Sequence, residues 1–234
     1  MSIDPLTILV IVATVVVSGA AQLYIRSTYG RWSRVANGAG LSAAQVAEYL
    51  RDHAQFGERP GREAITAINV SPGVLSDHFD PRDRSLSLSE PVATQASIAS
   101  MAIAAHEVGH AVQVAEGSGL MQLRSVLVPA VSVGPNLAYL FIFGGLILNM
   151  TGLFTIGIIL FGVAVLFAIL TLPVEIQASQ KALAMLDSTG VVVSQQDRDG
   201  ANSMLRAAAL TYLAGAIAAI LTLLYYLTLA RRSN

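Results

Sequence analysis

The feature that most restricts how this chain can fold is a long apolar run between Arg124 and Glu175. No Asp, Glu, Lys or Arg interrupts it. As one continuous helix the run would be about 75 Å long, whereas the hydrocarbon core of a bilayer is about 30 Å thick. It therefore predicts two membrane spans, at 127–148 and 153–172, with a break at the Asn-Met-Thr-Gly of 149–152.

Three prolines bear on the helices in and after this run. Pro129 and Pro135 predict a kink or a late start in the first span, because proline removes a helical hydrogen bond. Pro173 suits the first turn of a further helix, which the sequence predicts through Leu186. A polar loop is expected at 191–200.

Two more uncharged runs predict a span near each end of the chain, at 6–24 and 208–230. The first run also has features of a cleaved signal peptide, because Ser18-Gly19-Ala20 resembles a cleavage site. Its leader, Met1-Ser2-Ile3-Asp4, carries an acid and no Lys or Arg, unlike the basic start of a signal peptide. A retained span is therefore expected.

The composition agrees with a membrane protein. Of the 234 residues, 54% are hydrophobic and 12% are charged, and the mean hydropathy is +0.61, whereas soluble domains carry about 25% charged residues. Cys is absent, which excludes disulfides, iron–sulfur clusters and thiolate zinc sites. The net charge of −1 and the absence of a basic cluster predict no nucleic-acid binding.

The polar region between the first predicted span and the long apolar run after Arg124 has short elements of its own. Residues 41–50 predict an amphipathic helix capped by Ser42. The stretches 64–70 and 85–89 are β-prone, and the sequence between them, including 77–81, is rich in turn-forming residues. A small two-stranded ribbon is the expected product.

The predicted spans place the polar parts of the chain on one side of the membrane. Two spans separate the segments 26–122 and 173–207, so both segments return to the same side. All of the 14 Lys and Arg residues fall on that side except Arg231 and Arg232. The positive-inside rule then makes this side cytoplasmic and leaves both termini outside.

The sequence His-Glu-Val-Gly-His at 106–110 lies in an apolar stretch that predicts a buried helix. Residues four apart share a helix face, so His106 and His110 can reach one metal ion. Glu107 stands beside them, where it can take a proton from water. This H-E-x-x-H pattern is typical of zinc peptidases. Gly109 predicts close helix packing, since Gly costs about 1 kcal/mol relative to Ala in a helix.

A third metal ligand has to come from elsewhere, because a catalytic zinc usually has three protein ligands and one water. Without Cys, the candidates are His53, His78 and a carboxylate. Glu175 is the best-placed carboxylate, because it follows a predicted span on the side of the H-E-x-x-H helix and is costly there unless paired or ligated. A glutamate that simply reaches water would explain the same position.

Two segments together resemble a known family. Ala-Ala-His-Glu-Val-Gly-His-Ala-Val-Gln at 104–113 and Val-Glu-Ile-Gln-Ala-Ser at 174–179 are similar to the bacterial membrane-bound neutral zinc metallopeptidases, the YugP-like, gluzincin-type group. Further matches lie at 75–81, 86–89 and 210–212, so the resemblance runs over most of the chain. It implies an integral protein of the bacterial plasma membrane that acts on peptides or proteins.

The resemblance also implies roles for particular residues. One zinc ion would be held by His106, His110 and Glu175, with Glu107 as general base. Similar gluzincin-type peptidases carry an Asp or Asn four residues after the ligand glutamate, bonded back to a ligand histidine.

In this chain that place holds Ser179, whose hydroxyl would accept a weaker bond than a carboxylate. The family's acidic or amide position two residues after the glutamate is Gln177.

Two histidines remain outside the motif. His78, in the turn between Asp77 and Asp80, could act as a catalytic electrophile that hydrogen-bonds the oxyanion, or be a loop histidine whose aspartates cap the turn. A second metal at these three residues is less favoured. His53, beside Asp52, is expected to be a solvated surface residue.

We therefore expect a mainly α-helical integral membrane protein, with four transmembrane helices, an H-E-x-x-H helical region and a small β-ribbon in one peptidase domain over 1–234. Two other functions fit parts of the sequence. An intramembrane site-2-type protease would need a metal-binding Asp in a later span, and the predicted spans contain none. A membrane scaffold or adaptor that retains a metal site would have no need of Glu107 as a base.

Overall fold

The computed structural model describes residues 4–73 and 76–232. Met1–Ile3 of the predicted leader and Leu75 of the 75–81 match lie outside the described residues. The helices are α1 (Pro5–Trp32), α2 (Ala43–His53), α3 (Gly61–Ala64), α4 (Glu90–Thr94), α5 (Ile98–Ala115), α6 (Gly119–Ile147), α7 (Thr151–Ser188) and α8 (Gln195–Arg232). The strands are β1 (Ala67–Ser71), β2 (His78–Asp80) and β3 (Ser85–Ser89).

Among the described residues, four helices are long and apolar enough to cross a membrane, namely α1, α6, α7 and α8. Each overlaps one of the four predicted spans and extends beyond it, and the expectation of a mainly helical membrane protein is confirmed. Large apolar side chains are exposed along α6, including Val126 at 75% and Ile147 at 78%. In water such a surface would promote association, whereas in a bilayer it faces lipid.

The break predicted within the long apolar run is confirmed. Helix α6 ends at Ile147 and α7 begins at Thr151. Between them Asn149 has φ of 51°, in the left-handed region that Asn adopts more readily than most residues. The chain therefore turns where the sequence leaves the apolar pattern.

The effects predicted for the prolines differ from the structure. Pro129 and Pro135 lie inside α6, which begins earlier than the predicted span, so a late start is wrong. Pro173 lies inside α7, not in the first turn of a separate helix. Membrane-spanning helices tolerate proline, because neighbouring groups and small local adjustments provide hydrogen bonds for the backbone groups that proline leaves unpaired. The predicted loop at 191–200 is also shorter, since α8 begins at Gln195.

The described residues form two compact units. One takes in 4–22, 123–173 and 210–232, and its core is made of side chains of α6, α7 and α8, in which Phe161 meets Tyr226 edge to face. The other takes in 23–122 and 174–209. The single domain expected over 1–234 stays a prediction.

The second unit is built around α5. Ser97 caps the helix by accepting a hydrogen bond from the backbone N–H of Ser100, and nearly every residue from Ile98 to Gln113 is buried. The predicted amphipathic helix is confirmed as α2. Its Ser42 and Gln45 form a reciprocal capping box, and its apolar face packs against α5.

The two strands of the predicted ribbon are confirmed and pair with each other as β1 and β3, but the sheet has a third strand. The sheet has three strands in the order β1-β3-β2, with β1 parallel and β2 antiparallel to β3. Strand β2 occupies part of 77–81, which the sequence predicts as a turn. It has three residues, too few for the alternation that reveals a strand, and Asp and Pro around it favour turns.

Candidate metal centre

Two histidines of α5 and one glutamate of α7 converge in the second unit. One ligand atom each of His106, His110 and Glu175 can be chosen so that all three lie within 4.8 Å of one another. Glu175 Oε2 lies 3.0 Å from His106 Nε2 and 3.5 Å from His110 Nε2. All three side chains are buried, with Glu175 only 1% exposed. The geometry thus joins the sequence motif to the carboxylate favoured as its third partner.

Helix periodicity explains how α5 presents its histidines. Residues four apart lie one above the other on a helix face, and the rings of His106 and His110 are 4.8 Å apart at an interplanar angle of 80°. This edge-on arrangement lets the Nε2 atoms of both rings face the same carboxylate oxygen.

Gly109 allows α7 to come close enough to supply the third group. A Cβ atom at this position would lie 2.5 Å from the carbonyl oxygen of Ala178 and 3.3 Å from its Cα. These are backbone atoms of α7 and cannot rotate away. The prediction that Gly109 permits close helix packing is confirmed, and the packed neighbour is the turn after Glu175.

The outer nitrogens of both histidines have side-chain partners. Ser179 Oγ lies 3.2 Å from His106 Nδ1, at the place for which the resemblance implies Asp or Asn. Gln113 Oε1 lies 3.0 Å from His110 Nδ1. Sequence reasoning missed Gln113, although its position three residues after His110 places it on the same helix face. Gln177 is exposed and lines a polar groove.

Glu107 lies beside the centre on α5 and is 9% exposed. Its carboxylate does not belong to the group of three ligand atoms. Its function as a base stays a prediction.

His78 begins β2, which packs against α5. Its side chain is exposed, and Nδ1 lies 2.8 Å from the carbonyl oxygen of Ser76. Burial raises the pKa of the neighbouring Asp77 carboxyl, although hydrogen bonds from Ser89 oppose the rise. Among the described residues, neither His78 nor the aspartates beside it belong to a group of three side chains placed to hold one metal ion. Its catalytic role stays a prediction.

His53 lies on the surface, as expected. It is exposed near the end of α2, its ring stacks on Tyr49, and Nδ1 lies 2.9 Å from the Tyr49 carbonyl oxygen. The third partner of the two motif histidines is thus Glu175, not His53.

The donor set fits zinc. Two imidazole nitrogens and one carboxylate oxygen are a combination found in catalytic zinc sites, which leave a fourth position for water. The partners of the Nδ1 atoms leave the Nε2 atoms facing the shared carboxylate. Ligating histidines generally make such a second hydrogen bond, which orients the ring.

Comparisons with known proteins agree with this chemistry. The family model described as "Putative neutral zinc metallopeptidase" matches residues 7–231. The chain is 36% identical over 223 residues to the "Putative membrane protease YugP" of Bacillus subtilis (strain 168), covering 94% of this chain and 95% of that protein. No solved structure matches at a significant level. Because the family model matches nearly the whole chain and the relative is similar over 94% of it, the chain belongs to the neutral zinc metallopeptidase family.

Proposed function

We propose that this membrane protein is an endopeptidase with one catalytic zinc ion, bound by His106, His110 and Glu175. The observation that carries the proposal is the convergence of these three buried side chains from two helices of the second unit. A carboxylate buried at 1% exposure is costly without a cationic partner, and zinc supplies that charge.

The residues around the site have separate roles in the proposed hydrolysis. When bound, zinc makes water more acidic and polarises a carbonyl. Glu107 accepts a proton from the attacking water and passes it to the amine nitrogen as the peptide bond breaks. His78 would donate a hydrogen bond from Nε2 to the oxyanion, which requires a hydrogen on both ring nitrogens because Nδ1 already donates to the Ser76 carbonyl oxygen. Ser179 holds the ring of His106 in place.

The substrate is a peptide that adds a strand to the sheet. From the sequence, both 64–70 and 85–89 are candidates for its docking edge. Strand β3 lies between β1 and β2, and its residues 85–87 are paired on both sides, so 64–70 is the more open of the two candidates. Strand β1 is an outer strand, and its Asn69 and Val70 are exposed. A peptide would pair with β1 through backbone hydrogen bonds.

The zinc site is the part of the proposal that a metal measurement tests first. Purified protein should contain about one zinc ion per chain, and Glu175→Ala should lose most of it, because a bound zinc needs its third protein ligand. His78→Ala is the matched control, since this histidine lies outside the group of three. Elemental analysis after dialysis measures both. Full zinc occupancy in Glu175→Ala would place the third ligand elsewhere.

We further propose that the protein lies in the bacterial plasma membrane with the zinc site on the cytoplasmic side. The absence of Cys makes single engineered cysteines selective probes. Arg82→Cys tests the catalytic side, because the Arg82 side chain is 87% exposed. Met150→Cys tests the α6–α7 turn. In intact cells a membrane-impermeant maleimide should label Met150→Cys and spare Arg82→Cys until the cells are opened. Labelling of Arg82→Cys in intact cells would reverse the orientation.

A further inference from the structure

We infer that Gln113 is a positioning residue that fixes which nitrogen of His110 is offered to the metal and ties this histidine to the helix that carries Glu175. The inference rests on the proposed zinc site. It assigns to Gln113 two tasks, one performed by each end of its side-chain amide.

Both ends of the Gln113 side-chain amide have a hydrogen-bond partner. Its side chain is completely buried near the end of α5. Oε1 lies 3.0 Å from His110 Nδ1, and Nε2 donates to the backbone carbonyl oxygen of Val174 at 2.9 Å. A buried amide with both ends paired is held in one orientation, because turning it leaves buried groups unsatisfied.

The Val174 carbonyl oxygen determines the orientation of the Gln113 side-chain amide. A carbonyl oxygen only accepts hydrogen bonds, so the amide atom next to it must be the NH₂ group. Turning the amide over would set two oxygens 2.9 Å apart in a buried place. The oxygen of Gln113 therefore faces His110, and this oxygen in turn only accepts.

The orientation of the amide then fixes the histidine. Because Gln113 Oε1 accepts, His110 Nδ1 must carry the hydrogen, and in the neutral ring the lone pair is left on Nε2. That is the nitrogen that faces Glu175 Oε2 at 3.5 Å. The tautomer needed to bind a metal through Nε2 is thus set by a backbone carbonyl of α7, acting through one side chain.

The outer nitrogen of the second histidine is not fixed in this way. Ser179 lies 3.2 Å from His106 Nδ1, but a hydroxyl both donates and accepts and is compatible with either tautomer. Gln113 also holds Val174, the residue before Glu175, so one side chain links the helices that supply all three proposed ligands. We therefore expect Gln113 to matter more for zinc affinity than Ser179.

Two substitutions separate these tasks. Gln113→Met keeps the length and fills the same space but makes no hydrogen bond, and should lower zinc affinity about 10–100-fold, as the loss of such partners of metal ligands typically does. Gln113→Glu keeps an acceptor for His110 but loses the donor to Val174. It should restore most of the zinc affinity while lowering the melting temperature of the zinc-free protein. Gln180→Met is the matched control, an exposed glutamine on α7.

Zinc affinity is measured by competition with a chelator, and the thermal melting of zinc-free protein reports folding separately. Native affinity in Gln113→Met, or equal losses in the Met and Glu variants, would overturn the inference while leaving the zinc site intact. Failure of the native protein to bind zinc would instead refute the proposed function.

A measurement on the native zinc-free chain tests the tautomer directly, even where a variant does not fold. Nitrogen-15 resonances of the neutral His110 side chain should show the proton on Nδ1. A ring that carries a proton on Nε2 and none on Nδ1 would contradict the assignment.

Discussion

Replacing Glu107 with Gln should abolish peptide hydrolysis and leave the zinc content unchanged. The amide has nearly the same size but cannot accept the proton that the proposed mechanism requires. General acid–base catalysis contributes about 10²–10⁴-fold to rate, so a loss of at least that order in kcat is expected. The metal should stay, because Glu107 does not belong to the group of three ligand atoms.

The measurement is cleavage of a casein or labelled-peptide substrate by purified protein in detergent, alongside zinc analysis of the same samples. Glu116→Gln is the matched control. It makes the same chemical change at the end of α5, where an exposed ion pair with Lys181 is worth about 0–1 kcal/mol. Full activity in Glu107→Gln would refute the mechanism. A native protein that binds zinc but cleaves nothing would favour the scaffold or adaptor.

Replacing Gly109 with Ala should weaken zinc binding and lower stability together. The added methyl group would lie 2.5 Å from the Ala178 carbonyl oxygen, and the only relief is separation of α5 from α7. Overpacking of this kind costs about 1–3 kcal/mol, which outweighs the gain of about 1 kcal/mol that alanine brings to a helix. Separation of the helices would move Glu175 away from the two histidines.

Chelator competition and thermal melting with and without zinc measure the two effects. Gly215→Ala is the control, since a Cβ atom there would have no neighbour within 4 Å. It should be neutral or slightly stabilising and bind zinc normally. Unchanged zinc affinity in Gly109→Ala would show that the close approach of the helices is not needed for the site.

Local sequence patterns were sufficient for several parts of the fold. The spans follow from uncharged runs of the right length, and the cap of α2 follows from Ser42 at the start of an amphipathic run. The expected packing at Gly109 followed from the cost of glycine inside a helix. In each case the physical cause acts within a few residues or on average hydropathy, so it is visible in the sequence.

The parts that escaped prediction depend on contacts between distant residues. Pro173 is accommodated inside α7, although its local preference is for a helix start. Strand β2 is defined by pairing with β3, not by its own three residues. The sequence around Gln113 gives no sign of the hydrogen bond that its amide donates to the Val174 carbonyl oxygen, because the two residues are distant in the chain. Glu175 could be nominated, since the number of intervening spans returned it to the correct side.

The most direct test of the zinc site is X-ray absorption at the zinc edge of the purified native protein. His106, His110 and Glu175 predict two imidazole nitrogens at about 2.0–2.1 Å and one or more oxygen donors at about 2.0–2.2 Å. The Glu175→Ala protein, reloaded with zinc, should show an altered spectrum if it holds the metal at all. A native spectrum with fewer or more than two imidazoles would contradict the proposed ligand set.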